Sequence, residues 1–329
     1  MTGKRAATLV LVVAAAGTLA ACGSGGGAGP GGGTGLEAAL ARVADTSGTR
    51  SLITYDDTAA LVKLAAGNIY ATSGYARLIG NGASALIAFA SMVQSQAGIN
   101  VPGEQYAISA GEPPATVGLL AGGQSAAQVT QKLTGQGWKR QGQRLVMLPL
   151  SLSNALDGET AGWLSQVQPT GSDVVYGQPQ ANLSLVGAPS GQTLEQDPRI
   201  NALANCVGDV VAADITSVYP LSTLKPAEVA VGVTRPASNA AVPHAVVCVS
   251  WATSAAAGQY AVALHQAISS GVSGRLDERW SAVLHDASVA TIGGSQNVVE
   301  WQAQTPQGVL TVFNMLYSLD LPALAGSQV

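Results

Sequence analysis

The chain has 329 residues, 47% of them hydrophobic, 10% charged and 5% aromatic, and a net charge of −4. It carries no basic run or stripe that could neutralise phosphates, so nucleic-acid binding lacks its usual electrostatic basis, and the apolar content excludes a disordered body. With two Phe in the whole chain, the core must be built from Val, Leu, Ile and Ala. The residues from Leu36 onward suffice for one large domain or two of ordinary size.

At the N-terminus Lys4 and Arg5 precede an apolar segment, Ala6 to Ala21. Its 16 residues fall short of the ~20 that a spanning helix needs, and the segment reads as a cleaved signal. It closes on Leu19-Ala20-Ala21-Cys22, which resembles the lipobox of bacterial lipoprotein signals. The resemblance implies a diacylglyceryl group on the Cys22 thiol, cleavage just before that residue, and a mature protein anchored by lipid at the extracytoplasmic face of the cell membrane. The alternative is an ordinary secretory signal cut near Ala20 or Ala21. Each buried methylene contributes ~0.8 kcal/mol, so two or more acyl chains hold a soluble body at a membrane where one would exchange off. Removing residues 1–21 leaves 13 basic against 19 acidic residues, a net charge of −6. Gly23 to Gly35, GSGGGAGPGGGTG, has no side chains for a core and reads as a tether. Thirteen such residues place the body on the order of 20 Å from the lipid surface. GxGxxG-like matches within this tract follow no strand, so no nucleotide site is expected there.

Leu36 to Ala44 predicts a short amphipathic helix, Ser51 to Tyr55 a strand, and Thr58 to Ala66 a helix capped by Asp57. Gly67 to Gly82 reads as loop, and Ala83 to Gln96 as a buried helix too short to cross a membrane. Tyr106 to Ala110 is a strand stopped by Pro113-Pro114. Thr116 to Ala121 is the next, followed by a Ser125-capped helix from Ala126 to Leu133 and a strand or hairpin from Trp138 to Leu148. Leu148 to Gln192, rich in Pro and Gly, is the expected boundary. Asp197-Pro198 then caps a helix continuing through Val207. Strands follow at Ala227 to Val233 and Val242 to Trp251, then a Ser254-capped helix from Ala255 to Ile268, then strands at Val289 to Ile292, Val298 to Ala303 and Val309 to Phe313.

The expected architecture is α+β, with two similar halves of mixed sheet, helices packed on one face, and a degenerate internal duplication aligning Tyr106 to Gly135 with Val229 to Gly271. The expected divisions are signal 1–21, lipidated Cys22 with its tether 22–35, first half 36–168, and second half 169–329. Besides Cys22 the chain has two cysteines, Cys206 and Cys248. In an oxidising compartment an isolated pair without CxxC spacing reads as a disulfide, here fastening a helix to a strand.

Leu194-Glu195-Gln196-Asp197-Pro198 through Cys206-Val207-Gly208-Asp209-Val210, with Val231-Gly232-Val233, Arg235-Pro236 and Val246-Val247-Cys248-Val249, resembles uncharacterised actinobacterial cell-envelope lipoproteins. Thr49-Arg50, Tyr55-Asp56-Asp57 and Ala110-Gly111-Glu112-Pro113-Pro114 resemble them too. The resemblance implies envelope location and a paired cysteine and carries over no catalytic residue. The histidines, His244, His265 and His285, show no HExxH or i,i+4 spacing, and no GxSxG elbow is present, so no catalytic, cofactor or metal residue is assigned. Asp56-Asp57 could share a proton or hold a cation, with capping by Asp57 the simpler account; Asp209 and Asp214 read as helix-end and loop solvation. Trp138, Trp163, Trp251, Trp280 and Trp301 read as core, or as the lining of a gap between halves that would suit an apolar or carbohydrate-like ligand. The expected partners are the membrane, through Cys22, and a small molecule, a lipid or an envelope protein, with no nucleic acid. A lipoprotein hydrolase with a non-sequential site and an accessory subunit of an envelope complex are the alternatives.

Overall fold

The computed structural model describes residues 35–72, 74–147, 158–217 and 225–324. The expected signal, Cys22 and nearly all of the expected tether lie outside these residues. The described strands are β1 (Leu52–Asp56), β2 (Tyr106–Ala110), β3 (Val117–Ala121), β4 (Lys139–Gln141), β5 (Arg144–Val146), β6 (Gln166–Thr170), β7 (Asp173–Gly177), β8 (Val210–Thr216), β9 (Glu228–Thr234), β10 (His244–Ser250), β11 (His285–Ile292) and β12 (Val298–Gln304). All belong to one sheet, in the order β11-β12-β10-β9-β8-β1-β2-β3-β7-β6-β5-β4.

The α+β class holds, but the sheet is antiparallel at every pairing rather than mixed. Neighbouring strands that follow one another in sequence reverse direction through turns, loops or short helices, so no parallel crossover is needed. Helices cover both faces of the sheet rather than one, because strands such as β9 and β10 carry apolar side chains on both sides. The boundary expected between 168 and 169 falls inside β6; β7 turns back from it and lies between β6 and β3. The two sides of the sheet are joined at its middle by β1 and β8, with Thr54 opposite Asp214.

On the back face a single apolar core joins Ile53 and Tyr55 of β1 to Ile108, Leu119, Ala213, Ile215 and Val246. It is covered by the helices Gly35–Leu40 and Pro198–Val207. Asp197 caps the latter, its Oδ1 accepting from the Arg199 and Ile200 amides. Ile200, Leu203, Ala204 and Val207 face inward from this helix at helical spacing. Cys206, at its end, is bonded to Cys248 on β10, 42 residues away in sequence. Closing that loop restricts the unfolded chain by ~4 kcal/mol in the entropy account. Reduction is therefore expected to lower the midpoint of thermal unfolding, and an unchanged melting curve with and without a strong reductant would show that the bond adds no stability.

The front face carries two apolar cores. One spans β9, β10 and β12 under the helices Ser254–Ser270 and Thr311–Tyr317, and buries Trp251, Trp280 and Trp301. The other spans β3, β6 and β7 under the helix Ala126–Gly135, and buries Trp138 and Tyr176. Between them, along β1 and its neighbours, the inward side chains are polar: Thr54, Asp56, Ser109 and Asp214, each at most 7% exposed.

Several expected elements differ. Val309 to Phe313 is not a strand: Thr311–Tyr317 is a helix, since Val312, Phe313, Met315 and Leu316 extend the apolar pattern at helical spacing. Ala83 to Gln96 is not one buried helix. It divides into a 3-10 stretch Ser84–Phe89, a turn Ala90–Met92 and a π-helical stretch Val93–Ala97, with Leu86, Ala90, Val93 and Ala97 inward and Ala88 and Ser95 exposed. The cap of Ser254–Ser270 is Thr253, whose hydroxyl accepts from the Ala256 amide. Strands β6, β7 and β8 were not expected. The hairpin β4–β5 lies at the sheet edge, with β7 and β6 between it and β3, so the expected strand Thr116 to Ala121, its following helix and the hairpin from Trp138 do not form a compact β-α-β unit.

Candidate functional site

Asp214 is the sharpest departure from the sequence reading: it lies within β8 and is 0% exposed, not in a loop. Its Oδ1 accepts from Asn81 Nδ2 at 2.8 Å and its Oδ2 from the Tyr317 hydroxyl at 2.8 Å. Burial raises its pKa to about 6, opposed by those two hydrogen bonds. Asp56, also 0% exposed, accepts from the Gly82 amide (2.7 Å), the Gly80 amide (3.2 Å) and the Thr58 hydroxyl (2.8 Å). Burial raises its pKa to about 7 against those three bonds. Its neighbour Asp57 turns outward, capping Thr58–Leu64 through the Ala60 amide and pairing with Arg235 at 2.8 Å, so the two adjacent carboxylates do not share a proton. Asp209 is exposed and pairs with the same arginine.

The loop that reaches both buried acids is Gly80-Asn81-Gly82. Gly82 packs directly on the strands; a Cβ there would collide with the Ala107 carbonyl and stand 2.9 Å from the Asp56 amide nitrogen. Gly80 has φ +82°, a conformation that favours glycine. The spacing is used twice, with the flanking amides serving Asp56 and the central side chain serving Asp214.

Glu104, 2% exposed, lies within 3.2 Å of the Thr58 hydroxyl already donated to Asp56. A hydroxyl has one proton, so satisfying both contacts requires a proton on a carboxyl. Burial, then the nearby Asp56 charge, pushes the pKa of Glu104 well above the usual carboxylate range. The row Thr54–Ser109–Gly118–Tyr176 crosses β1, β2, β3 and β7. Gly118 has no side chain there because the Tyr176 ring lies over it. Thr54 and Ser109 hydroxyls meet at 2.7 Å, and Ser84 joins Ser109 at 2.6 Å. The result is a buried polar seam in which burial raises the pKa values of Asp56, Glu104 and Asp214.

One end of this seam reaches solvent through Tyr317, which is 58% exposed although its hydroxyl bonds to Asp214. Burial and the Asp214 charge push that hydroxyl's pKa upward. Tyr317 lines a cleft of about 450 Å³ formed by Thr311–Tyr317 and its flanks, by Arg77, and by the loop bearing Arg275 and Leu276. A second groove, of about 320 Å³, lies beside Cys206 and the turn from Gly293 to Asn297. No tryptophan lines either concavity: Trp138, Trp251, Trp280 and Trp301 are core, and Trp163 is half-buried.

His265 is exposed on its helix, while His244 and His285 both lie opposite Gln304, on either side of β12. Two strand spacings put those backbones roughly 10 Å apart. Among the described residues no group of three or more His, Cys, Asp and Glu is placed to hold a metal ion. Sequence reasoning missed the seam; the available signals were an aspartate inside the apolar run Val210 to Thr216 and a Gly-Asn-Gly between apolar segments. No family profile, curated protein or solved structure matches the chain.

Proposed function

We propose that this is a lipoprotein held by acyl chains on Cys22 at the extracytoplasmic face of the membrane, whose body binds a ligand in the cleft beside Tyr317. The observation that carries the binding role is the cleft itself, a concavity of about 450 Å³ rimmed by polar and apolar side chains. The anchor is supported by Leu19-Ala20-Ala21-Cys22. It also fits a body in which, among the described residues, no helix is long and apolar enough to cross a membrane. A hydrolase reading gains nothing here, since no histidine lines the cleft and Asp56 and Glu104 are closed to substrate. The accessory-subunit reading rests on β11, an eight-residue edge strand with most side chains exposed, which could accept a partner's strand.

Cys22→Ala is expected to move the protein from the membrane fraction to the soluble fraction and to abolish labelling by an alkyne fatty acid. A variant that stays membrane-bound and labelled would overturn the anchor.

We also infer that the two sides of the sheet descend from one duplicated unit. Supporting this, β1-β2-β3 and β8-β9-β10 are both meanders, each followed by a helix on the front face, Ala126–Gly135 and Ser254–Ser270, and by strands that return to pair with the third. Profiles of homologues over 52–135 and 210–270 are expected to align with each other above chance; profiles that do not would contradict common descent.

A further inference from the structure

We propose that the cleft beside Tyr317 takes an amphipathic anion, a phosphate or carboxylate group carried on an apolar chain. The inference rests on the reading of that cleft as the ligand site. Arg42, Arg50 and Arg235 all lie against carboxylates. Arg77 and Arg275 line the cleft, are exposed, and have no carboxylate partner among the described residues. They come from segments about 200 residues apart, brought to one concavity by the fold. In a chain of net charge −4, two guanidinium groups that line one concavity suit phosphate or carboxylate oxygens.

The one carboxylate in the lining is buried and held by hydrogen bonds within the protein. Asp320 is 4% exposed, its Oδ2 accepting from the Ser273 hydroxyl at 2.5 Å and its Oδ1 from the Gly274 amide at 3.1 Å. Those bonds tie the loop that presents Arg275 to the C-terminal segment, so the same acid fixes one of the cations. Apolar surface adjoins the arginines: Leu276 is 45% exposed, and Leu310 and Met315 complete that wall. A simple inorganic anion would leave this surface in water, whereas an alkyl chain would cover it. Asn314 in the same lining can donate from its amide.

The test uses the full chain in phosphatidylcholine nanodiscs, titrated calorimetrically with hexyl phosphate, inorganic phosphate and hexanol. Hexyl phosphate is expected to bind at least tenfold more tightly than either of the others. Arg77→Ala and Arg275→Ala are each expected to weaken it at least tenfold, with lysine at either position restoring part of the loss. Both arginines are exposed, so the variants should fold, and unchanged circular dichroism verifies this. Adding phosphatidic acid to the nanodiscs separates the sources: competition indicates a lipid headgroup and no competition a soluble anion, and either outcome agrees with the proposal. Hexanol binding as tightly as hexyl phosphate would overturn the anionic class while leaving the cleft a ligand site. Binding of hexyl phosphate undiminished in the double alanine variant would overturn the assignment to these arginines. No binding of any probe would overturn both the class and the cleft reading.

Discussion

Gly82→Ala is expected to cost about 3–5 kcal/mol or to prevent folding. The added carbon would meet the Ala107 carbonyl and the Asp56 amide, both backbone atoms of central strands, and overpacking of this kind costs roughly 1–3 kcal/mol. Relief requires the loop to lift, which breaks the Gly82 and Gly80 amide bonds to Asp56 and leaves a buried carboxyl without those donors, at about 1–3 kcal/mol. Gly135→Ala is the control. Nothing lies within 4 Å of a Cβ there, and the gain in helix propensity makes it neutral or slightly stabilising. Urea unfolding of the two variants checks the contrast. Equal midpoints would mean that the 80–82 loop does not rest on the sheet.

Stability is expected to fall as pH rises from about 4 to about 7. The pKa of Asp56 is about 7 and that of Asp214 about 6, against an ordinary value of 3.8. Both are raised in the folded state, so the native protein holds protons that the unfolded chain releases. Their contribution is complete below the unfolded value and is lost as pH passes the folded values. At about 1.4 kcal/mol per pH unit, Asp56 alone accounts for on the order of 4 kcal/mol across that range. Asp214→Asn should flatten the part of the slope between about pH 4 and 6. Its amide oxygen can still accept from Asn81 or Tyr317, so the variant should fold. Urea midpoints that stay level or rise between pH 5 and 8 would contradict the buried protonated carboxyls.

Local signals made much of this legible in the sequence. The Asp57, Ser125 and Asp197 caps, the strands β2, β3, β9, β10 and β12, and the helix covering the back face all follow from capping chemistry and short-range periodicity. The bond between Cys206 and Cys248 followed from cysteine count and compartment. Strand β8 escaped because it is buried on both faces. It lacks alternation, and its aspartate imitates a turn. Strands β6 and β7 were hidden by Gln166, Gln168 and Pro169, polar or imino residues in a segment that gains its pairing only from β3 and β5.

The seam leaves only faint local signals, because its contacts join residues far apart in the chain. Asn81 meets Asp214 across 133 residues, and Gly82 meets Asp56 across 26. Neither contact leaves a spacing motif. The two arginines of the cleft are likewise unmarked in sequence and come to one concavity only through the fold.

The central claim is that an acyl-anchored body presents this cleft outside the cytoplasm. It is tested most directly by the intact mass of the N-terminal peptide from protein extracted from the membranes of its own host. The account predicts a peptide beginning at Cys22 and heavier by a diacylglyceryl group, with or without a third acyl chain. A peptide beginning at Met1, unmodified and recovered from the soluble cell interior, would contradict it.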